Sequence, residues 1–109
     1  MPRDFKLYLE DIIHSCQKIR KYTLDMSKAE FSDNDIVFDA VLRNLLVIGE
    51  ASKNLPDFVK NQYPLIEWKK ISGLRDIIAH AYFGIDNSIL WDVVSNKIPE
   101  LLQQFQNTK

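Results

Sequence analysis

The stretch DNDIVFDAVLRNLLVIGEASKNL, Asp33 to Leu55, decides the fold. Its apolar residues fall into two helical rows, Val37, Val41, Leu45 and Ile48 in one and Phe38, Leu42 and Leu46 in the other. Spacings of three and four set each row along one side of a helix, so this helix is apolar on more than one side. Such a rod belongs at the centre of a bundle or at an interface between chains. Ser32, Asp33 and Asn34 are candidate N-caps, because their side-chain oxygens accept bonds from the free N–H groups of a first turn. Pro56 lacks the N–H that a continuing helix would use, which predicts a stop at Asn54 or Leu55.

Upstream, Phe5, Leu9, Ile12, Cys16 and Ile19 predict an amphipathic helix from Arg3 to about Leu24. Downstream, PLIEWKK, residues 64–70, reads as a short helix with Pro64 in its first turn and Trp68 as its buried anchor. Ser72 and Gly73 then break or restart the chain, and a third long helix runs from Ser72 through at least His80. Gly84, Asp86, Asn87 and Ser88 combine a breaker with capping residues. Ile89, Leu90, Val93, Val94, Ile98, Leu101, Leu102 and Phe105 give a final helical stripe. Pro99 interrupts that stripe and predicts a kink or restart near Asn96 to Pro99. No segment has a period-two pattern, so the expectation is one all-α domain over residues 1–109, an up-and-down bundle of about four main helices plus the short one.

At 109 residues the chain has room for a single core. Its lone cysteine, Cys16, cannot form an internal disulfide, and the amino terminus lacks the apolar run of a secretory signal, so a reducing cytoplasm is the expected compartment. No apolar run approaches the roughly 20 residues that span a bilayer. With Lys+Arg 14 against Asp+Glu 15 the formal charge is -1, which gives no global footprint for nucleic acid; any such contact must be local. His14 and His80 are the only histidines, and no zinc, EF-hand or metalloprotease spacing occurs. His14 reads as solvated on the first helix. Gly49, Gly73 and Gly84 are too far apart to form a phosphate loop. Neither a metal nor a cofactor is expected.

One segment concentrates polar chemistry on an otherwise apolar helix: RDIIAHAY, Arg75 to Tyr82. At about 100° per residue, Arg75 and Tyr82 share a face, whereas Arg75 and His80 diverge by about 140°. One straight helix cannot aim both at one atom. Either the helix ends near His80 and lets the ring turn back, or a second copy supplies the other residue across a two-fold interface. Asp76 sits four residues before His80, where its carboxylate can hold one imidazole nitrogen and leave the other to act. Taken by itself, the arginine–histidine spacing is more often a solvated face beside a boundary histidine. Arg43, Glu50 and Asn54 form a polar stripe on the second helix, either its water-facing side or the lining of a cleft, with Glu50 positioning Arg75 or Arg43 across the interface. Lys53, Lys69 and Lys70 are scattered and read as solubilising surface.

The surroundings carry more information than the spacing. WKKISGLRDIIAHAYFGIDNSILWDVV, with the earlier RNLLVIGEA, resembles the HepT-like branch of the HEPN superfamily, the toxin halves of HEPN/MNT toxin–antitoxin modules. The family pattern is an arginine, four residues, a histidine, one residue and a tyrosine, met by Arg75, His80 and Tyr82. GLRD precedes it, GID and a tryptophan follow, and GEA lies on the second helix. The likeness covers about Val41 to Val94 in detail and the whole chain in helical layout.

The resemblance implies a HEPN-like bundle forming a homodimer, the toxin of a type VII-like HEPN/MNT toxin–antitoxin system, and a metal-independent endoribonuclease whose two motifs meet in a cleft at the dimer interface. RNA carries its own nucleophile, the 2′-hydroxyl, so cleavage needs a proton acceptor and donor near neutral pH and positive charge on the phosphate. His80 suits the first task and Arg75, with its planar fork of donors, the second. In the resembling family the tyrosine matching Tyr82 receives adenylate from a partner nucleotidyltransferase antitoxin, an AMPylation that would set bulk and negative charge beside Arg75 and His80. The competing expectation is a non-catalytic helical module that holds a nucleotide, an RNA or a partner without cutting.

Overall fold

The computed structural model describes residues 4–83 and 88–107, and for His80, Ala81 and Asn107 the backbone only. Among the described residues the chain is helical throughout, in the order α1 (Phe5–Thr23), α2 (Lys28–Asp33), α3 (Asp35–Lys53), α4 (Asp57–Lys60), α5 (Trp68–Ser72), α6 (Leu74–Tyr82) and α7 (Ser88–Asp92). A π-helical turn, Val93–Lys97, then joins α7 to α8 (Ile98–Asn107). The expected layout of about four main helices is thus met by α1, α3, α6 and the α7–α8 rod.

Helix α3 is the central strut. Its Val41, Leu45 and Ile48 are wholly enclosed and pack with Ile12, Cys16 and Ile19 of α1 and with Leu90, Val94, Ile98 and Leu102 of the last rod. Asn34 caps α3 as expected, its Oδ1 accepting from the Val37 amide at 3.0 Å. At the other end Asn54 is the C-cap, two residues before Pro56. The segment before Asn34 holds a helix of its own, α2, not anticipated above. Ser27 and Glu30 form a reciprocal capping box that starts it, with Ser27 Oγ accepting from the Glu30 amide at 3.1 Å and Glu30 Oε1 from the Ser27 amide at 2.9 Å. Phe31 of α2 is fully buried and sets the helix against the core.

Three other expectations need correction. Pro64 does not open a helix. It occupies the second position of a turn closed by the Ile66 amide on the Tyr63 carbonyl at 3.1 Å, where proline's fixed φ is favourable, and the short helix begins only at Trp68. The buried anchor there is Ile66, while Trp68 is half-buried against the core and its indole N–H donates to the Lys60 carbonyl at 3.2 Å. In the final stripe, Ile89 is half exposed whereas the other seven apolar residues are buried. The interruption expected at Pro99 takes the form of the π turn, in which the Ile98 amide bonds back to Val93. Widening the ladder just before the proline accommodates its ring and missing donor without ending the rod. The breaker and capping residues Gly84, Asp86 and Asn87 lie outside the described residues.

Gly49 positions the site. A Cβ there would meet the Ile71 carbonyl at 3.6 Å and Leu74 Cβ at 3.9 Å, so α5 and α6 approach α3 to van der Waals distance at this point. Leu74 is buried against that contact and fixes the start of α6.

Candidate active site

Arg75 follows Leu74 in the first turn of α6 and reaches across to α3, where its Nε lies 3.5 Å from Glu50 Oε1. The distance is that of an ion pair rather than of a hydrogen bond. Both side chains keep solvent contact, 61% for Arg75 and 47% for Glu50, yet Oε1 itself is covered and has no hydrogen-bond donor. The guanidinium is therefore the only compensation that buried oxygen has among the described residues. The pair joins α6 to α3 within one chain, whereas the expected contact of Glu50 with Arg75 or Arg43 ran across an interface.

The other members of the stripe divide. Asn54 donates from Nδ2 to the Glu50 carbonyl at 2.9 Å and serves as a helix cap. Arg43 is exposed and faces α1 across a polar groove of about 220 Å³ lined also by His14, Lys18 and Tyr22. Asp76 is exposed, and its relation to the His80 imidazole lies outside the described residues. Lys53, Lys69 and Lys70 are exposed, with Lys70 paired to Glu67 at 3.0 Å on the surface.

The backbone of α6 is helical through His80 to Tyr82, and the Phe83 amide closes a further i to i−4 bond on Ala79 at 3.1 Å. The helix therefore does not unwind at His80, and the divergence of about 140° between the Arg75 and His80 positions stands. Tyr82 is not a packing residue: its ring is 73% exposed and rests edge-on against Phe83, itself 74% exposed, with centroids 5.3 Å apart. Phe83 and the α1 residues of the polar groove were not anticipated. Their signal was present in the spacing of Asp11, His14, Lys18 and Tyr22 along one edge of α1, which a solvated face explains equally well.

A nucleophilic role for the cysteine is disfavoured. Burial pushes the Cys16 thiol up to about 12, so almost no thiolate exists at neutral pH. Among the described residues no three His, Cys, Asp or Glu side chains gather as a metal site, and no helix is long and apolar enough to cross a membrane.

The all-helical architecture, with α3 as its central strut, is compatible with a HEPN-like bundle as the class of protein. The comparisons narrow it: the family described as "Ribonuclease HepT-like" matches residues 12–108, and the chain belongs to that family. A Methanocaldococcus jannaschii protein whose name marks it as a candidate RNase is 42% identical over 107 residues, covering 97% of this chain and 88% of its own. A Thermococcus cleftensis protein named a probable ribonuclease HepT is 38% identical over 109 residues, covering 100% and 99%. A candidate RNase of Caldanaerobacter subterraneus is 36% identical over 97 residues, covering 89% and 87%. No solved structure matches the chain significantly.

Proposed function

We propose that this chain is the endoribonuclease toxin of a HEPN/MNT toxin–antitoxin module, acting in the cytoplasm as a homodimer and without a metal. The observation that carries the reading is Arg75, a guanidinium more than half exposed yet tethered to Glu50 of the central helix, within a chain of the HepT-like family. A tethered, hydrated arginine is suited to receive a phosphodiester and to stabilise the extra negative charge of its transition state. His80 takes the proton from the RNA 2′-hydroxyl. The freed oxygen bonds to the adjacent phosphorus, the bond from phosphorus to the 5′-oxygen breaks, and that oxygen leaves with a proton returned by the His80 imidazolium. In this reading the histidine that serves one Arg75 comes from a second copy across a two-fold axis, an arrangement that the helical path of α6 through His80 supports. Asp76 holds the imidazole tautomer, Glu50 positions Arg75, and Asn54 holds the end of α3 beneath them.

Tyr82 is the control point. Its ring is open to a partner enzyme, and seven residues from Arg75 it shares that residue's face. A nucleotidyltransferase antitoxin joins the tyrosine oxygen to the α-phosphorus of ATP and releases pyrophosphate, leaving AMP beside Arg75 to block phosphate binding by occupation and repulsion.

Purified protein incubated with total RNA, with the new ends mapped, tests the reading. Arg75→Ala and His80→Ala are expected to abolish cleavage while the dimer persists. Unchanged cleavage by both overturns the catalytic assignment, and an inert wild type that still binds RNA favours a non-catalytic binding module. Co-expression with the nucleotidyltransferase is expected to add one adenylate mass, absent in Tyr82→Phe.

A further inference from the structure

The polar groove between α1 and α3 has the composition of a binding site. It runs beside the seam where Ile12, Cys16 and Ile19 meet Val41, Leu45 and Ile48. Along its α1 wall stand His14, Lys18 and Tyr22, and Arg43 closes the α3 wall. Ser15 and Asn44 form part of the lining; they are 5% and 8% exposed, two of the three buried polar side chains among the described residues. The single acid of the lining, Asp11, already has a partner within the molecule. Two fixed cations, Lys18 and Arg43, thus stand with one acid in the groove of a chain whose net charge is -1.

Its position matters as much as its content. Arg43 and Glu50 are seven residues apart on α3, about 10.5 Å along the axis and only about 20° round it. Glu50 in turn touches Arg75. Groove and arginine therefore lie along one stripe of a rigid, centrally packed helix.

We infer that this groove is an RNA subsite, which holds the phosphate and base of a single strand flanking the bond at Arg75. The inference deepens the ribonuclease reading and rests on it. Arg43 offers a planar fork to phosphate oxygens and Lys18 a point charge. Tyr22, 38% exposed, presents a ring on which a base can stack. Asn44 Nδ2 already donates to the Ala40 carbonyl at 2.8 Å, which leaves its Oδ1, with the Ser15 hydroxyl, to meet a ribose hydroxyl, the group that distinguishes RNA from DNA. A near-neutral protein thereby gains a local, oriented grip rather than a diffuse one, and the groove sets the strand's direction across the site.

The test measures binding of a labelled single-stranded oligoribonucleotide over a salt series in the His80→Ala background, beside cleavage kinetics with His80 intact. Lys18→Gln combined with Arg43→Gln is expected to weaken binding roughly tenfold or more and to lower the slope of log K against log salt by about 1.4, at about 0.7 per phosphate contact. KM should rise with kcat retained, the signature of lost uniform binding. Tyr22→Leu should weaken binding roughly tenfold and Tyr22→Phe should not. Lys21→Gln removes one charge from the exposed surface of α1 outside the groove, and should leave the slope unchanged. Circular dichroism verifies that each variant is folded. An equal loss in Lys21→Gln, or an unaltered slope and KM in the double variant, overturns the subsite while cleavage by the wild type upholds the ribonuclease. Groove-dependent binding by a wild type that cuts no RNA does the reverse.

Discussion

Two arcs of α3 meet opposite surroundings. Val41, Leu45 and Ile48 are sealed in the core, while Arg43, Leu46 and Asn54, on the other side of the same helix, are exposed and Glu50 is half-exposed. The buried arc fixes where the helix lies, and the open arc inherits that position for the groove and for the contact to Arg75. Substitutions on the two arcs should therefore separate stability from function. Ile48→Ala is expected to cost about 2–5 kcal/mol, the sum of lost burial and an unfilled cavity. Measured by chemical denaturation, that is a large share of the roughly 5–15 kcal/mol that holds a domain of this kind together. Leu46→Ala, on the open side, should change stability by no more than about 0.5 kcal/mol. Similar costs for the pair would break the division.

The contact that joins the arcs to chemistry is next in size. Glu50→Gln keeps the side chain's shape and an acceptor oxygen but removes the charge facing Arg75. Because both partners are about half exposed or more, their attraction is screened, and the change in stability should stay below about 1 kcal/mol. The expected effect is on turnover: a drop of roughly tenfold, against 100-fold or more for Arg75→Ala, because an untethered guanidinium spends less time where phosphate charge develops. Full activity in Glu50→Gln would reduce the ion pair to a surface contact without function.

The division also explains what was legible in the chain. The span and burial of α3 could be read because local signals agree with the tertiary outcome: two apolar rows, a cap at Asn34 and a proline at position 56. Helix α2 escaped because six residues are too few for periodicity, although its S-x-x-E capping box was there to find. Pro64 misled because proline suits both the first turn of a helix and the second position of a β-turn, and only the Tyr63–Ile66 bond decides between them. The site divides in the same way. Residue types and family likeness single out Arg75, His80, Tyr82 and Glu50, but the choice of Arg75 as Glu50's partner is a contact between elements 25 positions apart. The groove wall on α1 was hidden by the resemblance of any polar helix edge to a solvated one.

The smallest effect tests the hinge between the arcs. Gly49 lies between the buried and open sides of α3 and lets α5 and α6 come close. A glycine inside a helix costs roughly 0.5–1 kcal/mol relative to alanine through the freedom it loses on folding. The approach at Gly49 does not require that sacrifice, since a Cβ would sit 3.6 Å from the Ile71 carbonyl and 3.9 Å from Leu74 Cβ, ordinary packing distances. Gly49→Ala should therefore stabilise the protein by about 0.5–1 kcal/mol, a rise of a few degrees in Tm for a chain of this size. RNA cleavage should be unchanged, because α6 need not move to admit one methyl group. A fall in Tm would mean that α5 and α6 press closer to α3 than these distances, and Arg75, one residue beyond Leu74, would be held against Glu50 by backbone packing rather than by charge.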